Sequence, residues 1–244
     1  MSKSLKTPVT QKEWNVIAGD ITQNATSDAT GIHVTYAKGQ FASQAGINFK
    51  ASPPSFPSTT VTLSYQVYFP NDFDFVKGGK LPGIWGGQPG SGGGDWNDKG
   101  WSFRVMFREK GTAVAYIYMS TDQGQYTGDA KCKLVKNQGP GFDTIAHHTN
   151  GAGIDLWRDQ GLVFKRGQWN DVVLRAKCNS PGTSDGLVSL TVNNVTKTFP
   201  HMRWSEKLQK IEGIAFATWF GGGSKKYAPT KTQKADFRNV SYVL

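Results

Sequence analysis

Residues 101–120 read WSFRVMFREKGTAVAYIYMS, two alternating runs joined by a short polar turn. In the first run Trp101, Phe103, Val105 and Phe107 alternate with Ser102, Arg104, Met106 and Arg108. Side chains of a strand point alternately to opposite faces, so the aromatic set faces a core and Ser102 and Arg104 face away from it. In the second run Val114, Tyr116 and Tyr118 share a face, and Ala113, Ala115, Ile117 and Met119 take the other. The turn Glu109-Lys110-Gly111 supplies a glycine where a three-residue hairpin loop wants a left-handed residue. Pairing Arg108 with Thr112 then sets Arg104 opposite Tyr116 and Ser102 opposite Tyr118, with Cβ atoms roughly 4.5–5.5 Å apart. One face thus gathers a guanidinium, a hydroxyl and two phenols, and a slip of one residue would scatter them. The same residue types also suit an ordinary half-wet strand surface, so the hairpin alone does not establish a site.

The rest of the chain agrees with an all-β fold. Twenty-nine glycines and abundant aromatics (8 Trp, 8 Tyr, 14 Phe) accompany few helical periodicities in 244 residues. Many short strands with glycine-rich turns point to a sandwich or barrel. Alternation predicts strands at 31–36, 41–49, 61–69, 161–165, 169–178, 186–193, 211–220 and 236–243. No repeat or composition break divides residues 1–244, which read as one domain with a polar, ragged start over about residues 1–10. The run PNDFDFVKGGKLPGIWGG continues into QPGSGGGDWNDKG, which is too glycine-rich for regular packing and reads as a long loop, functional or disordered. Within it Trp85 and Trp96 are candidate walls for a sugar ring.

Charge narrows the partners. The net charge of +10 favours a polyanion: nucleic acid, anionic lipid or acidic polysaccharide. The basic residues are scattered, and no recognition helix, zinc spacing or RNP-like run accompanies them, which argues against nucleic acid. No apolar run reaches membrane-spanning length. The first residues lack the apolar segment of a secretory leader. Cys132 and Cys178 form either one disulfide or two thiols, with thiols the expectation in the absence of a secretory signal.

Other constellations are weaker. Asp72 with Asp74, and Asp95 with Asp98, lack EF-hand spacing and suit turns. No His-x-x-x-His occurs, so no metal site is expected, although a loop-bound calcium ion is left open. His147 and His148 are adjacent, so only one of them can face a site on a strand; both are candidate substrate-binding residues. Gly90–Gly94 lacks a phosphate-loop ending, and Ser102 lacks a nucleophile elbow. Lys80, between glycines in GGKLPGIWGG, has backbone around it that permits close approach.

Three separated stretches carry a resemblance. LSYQVYFPNDFDFVKGGKLPGIWGG, WSFRVMFREKGTAVAYIYM and RGQWNDVVLRAKCNSPGTSDGLVSLTVNN occur in the order found in polysaccharide lyase family fourteen, which the chain resembles from about residue 61 onward. GGKLPG alone is shared with glucuronan lyases of another family. The resemblance implies a jelly-roll β-sandwich of two antiparallel sheets with a cleft on the concave sheet. It implies catalytic residues Lys80, Ser102, Arg104, Tyr116 and Tyr118, four of which the hairpin register had already brought together. It further implies β-elimination on glucuronate- or alginate-type polymers, with no cofactor. Action would be on an algal cell wall outside the host cell, by an enzyme that is virion-associated or released from infected cells if the source is viral. The expected partner is an acidic polysaccharide, with no nucleic acid, no membrane insertion and a monomeric chain. Arg104 is expected to clamp a carboxylate, with Lys80 adding charge or moving a proton. The neighbouring cations are expected to lower the tyrosine pKa from about 10 toward phenolate. A non-catalytic carbohydrate-binding module is the competing reading.

Overall fold

The computed structural model describes residues 2–88, 98–123, 138–148 and 153–244. The described strands form two antiparallel sheets. Sheet I contains β1 (Lys3–Ser4), β3 (Ala25–Asp28), β4 (Gly31–Tyr36), β6 (Thr60–Tyr68), β12 (Trp169–Lys177), β13 (Gly186–Val192), β14 (Val195–Met202) and β16 (Gln233–Val243). Its order is β14-β13-β12-β6-β16-β4-β3, with β1 also paired to β16. Sheet II contains β2 (Val16–Asp20), β5 (Ile47–Ala51), β7 (Gly79–Gly87), β8 (Gly100–Phe107), β9 (Ala113–Tyr118), β10 (Ala146–His148), β11 (Ile154–Leu156) and β15 (Ile211–Phe220). Its order is β10-β11-β9-β8-β7-β15-β5-β2.

The two sheets pack face to face, and alternation decides which side chains meet. Val61, Leu63, Tyr65 and Val67 of β6 are buried, while the residues between them are half-exposed. From sheet II, Trp101, Phe103, Val105 and Phe107 join the same core, as the hairpin pattern predicts. Phe69, Phe73, Phe75, Phe107 and Phe220 form an aromatic knot at one end, with Phe69 and Phe73 ring centroids 4.7 Å apart. Each such ring contributes about 1.5–3 kcal/mol by leaving water. The two sheets differ on their outer faces. Sheet I is wet there, whereas β8 and β9 are buried along their whole length on both faces.

Three local expectations change. Residues 41–49 are not one strand: a 3-10 turn occupies Ala42–Ala45 and β5 begins at Ile47. Residues 161–165 make only an isolated bridge, Val163 with Thr112. There the buried Asn170 amide replaces a ladder, accepting from Lys165 N at 2.7 Å and donating to Lys165 O at 2.8 Å. The chain start is tied down rather than ragged. Lys3 and Ser4 pair with β16, and the Trp14 indole donates to Lys6 O at 2.9 Å.

Candidate active site

The β8–β9 hairpin has the register that its sequence predicts. Arg104 lies opposite Tyr116, Ser102 opposite Tyr118, and Met106 opposite Val114. Arg108 N donates to Thr112 O at 2.6 Å to close the turn. Both Lys110 (φ 60°) and Gly111 (φ 82°) are left-handed, so the loop asks this conformation of one residue more than the glycine alone suggests.

Lys80 arrives by a different device. Along β7 it lies opposite Met106, while Gly83 lies opposite Arg104. Three steps on β7 thus match two on β8, a bulge centred on Pro82. An extra residue reverses the inside–outside parity downstream. Lys80 and Trp85, five positions apart, therefore share the outer face of sheet II, and Trp85 stands on a strand that runs to Gly87 rather than in a loop. Proline suits this place because a bulge does not require its missing N–H. The Lys80 Nζ lies 5.2 Å from the Tyr116 ring centroid, 5.7 Å from that of Tyr118 and 5.2 Å from that of Trp219. The two phenolic oxygens are 3.0 Å apart, with the rings perpendicular. The Arg104 guanidinium carbon is 6.0 Å from the Tyr118 ring centroid.

This face is not the open, wet surface that alternation implies. Lys80, Ser102, Arg104, Tyr116 and Tyr118 are each at most 8 % exposed. Long side chains from β7, β8, β9 and β15 cover one another, and the backbone of Gly153 lies against Tyr116. A Cβ placed at Gly153 would sit 2.0 Å from Tyr116 Cζ. Burial also reverses the expected ionisation. Desolvation, reinforced by Tyr118, holds the Tyr116 phenol well above its ordinary value, so the resting site carries a phenol there and not a phenolate. Desolvation together with the Arg104 and Arg108 charges pushes the Lys80 amine well below its ordinary range. The lowered pKa makes the amine of Lys80 easier to deprotonate, and the raised one keeps the proton on Tyr116. The Ser102 Oγ and Arg104 Nε are buried without hydrogen-bond partners, as is the Trp85 indole nitrogen, and all three residues belong to this face.

Sequence reasoning missed the support behind Tyr116. Asp155 on β11 lies opposite Tyr116 and is fully buried. It forms ion pairs with Arg108 and, at 2.7 Å, with Arg158. The Arg108 guanidinium carbon lies 5.6 Å from the Tyr116 ring centroid. The stretch IDLWR carries a carboxylate three residues before an arginine, but nothing in it announces a partner 47 residues upstream.

The other candidates separate. Trp85 is on the site face, but buried, with the Lys50 Nζ 5.0 Å above its ring. The β10 register puts His147 opposite Asp155, and its side chain is exposed at the sheet edge. Trp96, Asp95 and Cys132 lie outside the described residues. Cys178 is a buried thiol donating to Gln209 O at 3.3 Å, its pKa pushed up to about 11 by burial. Asp72 pairs with Lys231, and Asp74 accepts from Val76 N at 2.9 Å, both in turn roles. Among the described residues no group of three or more His, Cys, Asp and Glu side chains is placed to hold a metal ion.

The profile of the family described as Polysaccharide lyase 14 matches residues 24–240. The chain belongs to this family. The match begins well upstream of the motifs that first suggest it. A family 14 alginate lyase from Aplysia kurodai has the same fold, with a TM-score of 0.80 at 24% identity over 100% of this chain and 98% of that one. Alginate lyase vAL-1 from Chlorella virus gives 0.78 at 26% identity over 98% of each. The two sheets are thus the jelly-roll sandwich of family 14. The Exolysin of Paramecium bursaria Chlorella virus 1 is 24% identical over 208 residues, which span 76% of this chain but only 30% of that protein.

Proposed function

We propose that the chain is a polysaccharide lyase cleaving alginate- or glucuronan-type polymers by β-elimination. The observation that carries this reading is the Lys80 amine packed against Tyr116 and Tyr118 beside the Arg104 guanidinium. Arg104 binds the carboxylate of the uronate being cleaved and offers it two parallel N–H groups. With that charge neutralised, the C5–H bond becomes acidic enough to break. Lys80 Nζ takes the proton, and the electron pair spreads onto the carboxylate as an enolate that the cations stabilise. The pair then forms the C4–C5 double bond as the C4–O bond breaks. The leaving oxygen takes its proton from Tyr116, which shares a hydrogen bond with Tyr118 and can exchange protons through it. Ser102, opposite Tyr118, orients substrate with its unpartnered hydroxyl. The elimination as written draws on side chains of a single chain.

Family membership and the names of the alginate lyases with this fold support the substrate class. The viral relative supports an algal wall polysaccharide reached outside the host cell, by enzyme carried on the particle or released on lysis. Among the described residues no helix is long and apolar enough to cross a membrane.

The test is ultraviolet absorbance on mixing the protein with polymannuronate, polyguluronate and polyglucuronate. Elimination alone creates the conjugated unsaturated acid. Binding without new absorbance on any of the three would leave a carbohydrate-binding module.

A further inference from the structure

The pairing across sheet II aligns a row of positions. Tyr116 on β9 faces Arg104 on β8, Arg104 faces Gly83 on β7, Gly83 faces Ala215 on β15, and Ala215 faces Lys50 on β5. Directly paired residues share a face, so Lys50 belongs to the same outer face as the reaction centre. Its backbone stands three strand spacings, about 14 Å, from that of Arg104, and its side chain reaches back over Trp85. Only Gly83 and Ala215 occupy the row between the two cations. Beside them, opposite each other, lie Trp85 and Ser102, each with a buried polar atom lacking a partner. Lys50 makes no ion pair among the described residues, and neither does Arg104. Gly83 and Ala215 lie buried beneath their neighbours, so what this face offers a ligand is the two cations and the unpartnered donors beside them, a set that suits a chain carrying anions at intervals.

We propose that Lys50 binds the carboxylate of a second uronate unit, displaced along the same polymer from the one gripped by Arg104. This rests on the polyuronate reading above and adds where the chain runs: across the strands, from β9 toward β5. It also assigns Trp85 a different job from the open sugar platform that its sequence context suggests. Its ring supports the Lys50 ammonium from below. The ammonium is half-desolvated there, with its pKa lowered to about 8 by burial and by Arg104, and an arriving carboxylate restores its charge balance.

The experiment measures KM and kcat for wild type, Lys50→Met, Lys50→Gln and Lys50→Arg on a size-graded series of oligouronates and on the polymer. Calorimetric binding of the same ligands runs in parallel. Met keeps the stem over Trp85 and Gln keeps polarity, so a folding defect in one leaves the other readable. The expected result is a KM and Kd increase of about tenfold on long substrates, with kcat little changed, because a charge-assisted contact of this kind is worth about that much. The penalty should shrink toward the shortest oligomers, which cannot reach from Arg104 to Lys50, and Lys50→Arg should restore long-chain binding. A neutral variant with unchanged KM and Kd at every length overturns the inference. So does a penalty equal at all lengths, which would mark Lys50 as a general support of the fold. Wild type that binds the polymer but produces no absorbance ends the lyase reading, while the length dependence of Kd still decides the role of Lys50.

Discussion

Tyr65, rooted in sheet I, donates its phenolic hydrogen to the carbonyl of Pro82 in sheet II across the buried core, at 3.1 Å. The register shift between Leu81 and Gly83 lies at that carbonyl. One hydroxyl from the opposite sheet therefore holds the irregularity that aims Lys80. Tyr65→Phe should keep the packing and leave the carbonyl unsatisfied, costing about 1–3 kcal/mol in denaturant unfolding. Because the loosened segment carries Lys80, kcat should fall by more than KM rises. Unchanged kcat in a destabilised variant would mean that the bulge holds without this bond.

The pH profile follows from the two opposed shifts. A base acts deprotonated, and Lys80 is shifted downward, so the rate should rise with pH through a value below the ordinary lysine range and then level off. An acid acts protonated, and Tyr116 is shifted upward, so the fall should come only at strongly alkaline pH. Lys80→Arg keeps a long basic side chain but cannot give up its proton, and should lose about 10²–10⁴-fold in kcat. Near-wild-type turnover in that variant would remove Lys80 as base. A rise centred near a histidine pKa of about 6.5 would redirect attention to His147.

Tyr116→Phe and Tyr118→Phe should both fold, since each keeps its ring and loses one hydroxyl from a mutually bonded pair. Tyr116→Phe should be the more severe, by about 10²–10⁴-fold, if it is the proton donor. Gly153→Ala supplies an independent check on the position of that ring, because its methyl group would overlap Tyr116. Turnover should drop with little change in the binding of polymer at Lys50. An alanine variant as active as wild type would show that Tyr116 has room to move without cost.

Asp155→Ala should strand two arginines, one of them well buried. Breaking a buried pair costs about 3–5 kcal/mol, and the lower end applies because Arg158 is partly in water. Activity should fall as well, since Arg108 would no longer be fixed beside Tyr116. Asp155→Asn, which keeps the shape and loses the charge, separates the packing role from the ionic one by its melting temperature.

The hairpin was legible because two rules, alternation and turn chemistry, act on neighbouring residues and leave one register. Lys80 was legible only by family resemblance: nothing local shows that the bulge at Pro82 brings it to the same face as Trp85. The ionisation of the site could not be read at all. It depends on how far Tyr116 and Lys80 are removed from water, a property of side chains arriving from β7, β8, β9 and β15 together. A single strand over residues 41–49 leaves Lys50 outside the alternation and hides it. With β5 at Ile47–Ala51, the alternation INFKA places Asn48 and Lys50 outward and makes the lysine a candidate from sequence alone.

Lys80, Arg104 and Lys50 stand on one face with no carboxylate paired to them among the described residues. Like charges in a poorly hydrated setting work against the fold that assembles them. On the proposed function, the chain without a polymer is the strained partner of the binding equilibrium, and filling it should act as a thermal brace. A ligand bound only by the folded chain adds about 2.7 kcal/mol at a hundred times its Kd. An uncleaved polyanion should therefore raise the melting temperature markedly, and by less as salt is added. Lys80→Met should melt higher than wild type while doing no chemistry, because an amine that is charged in the unfolded chain and buried beside two guanidinium groups in the folded one costs stability.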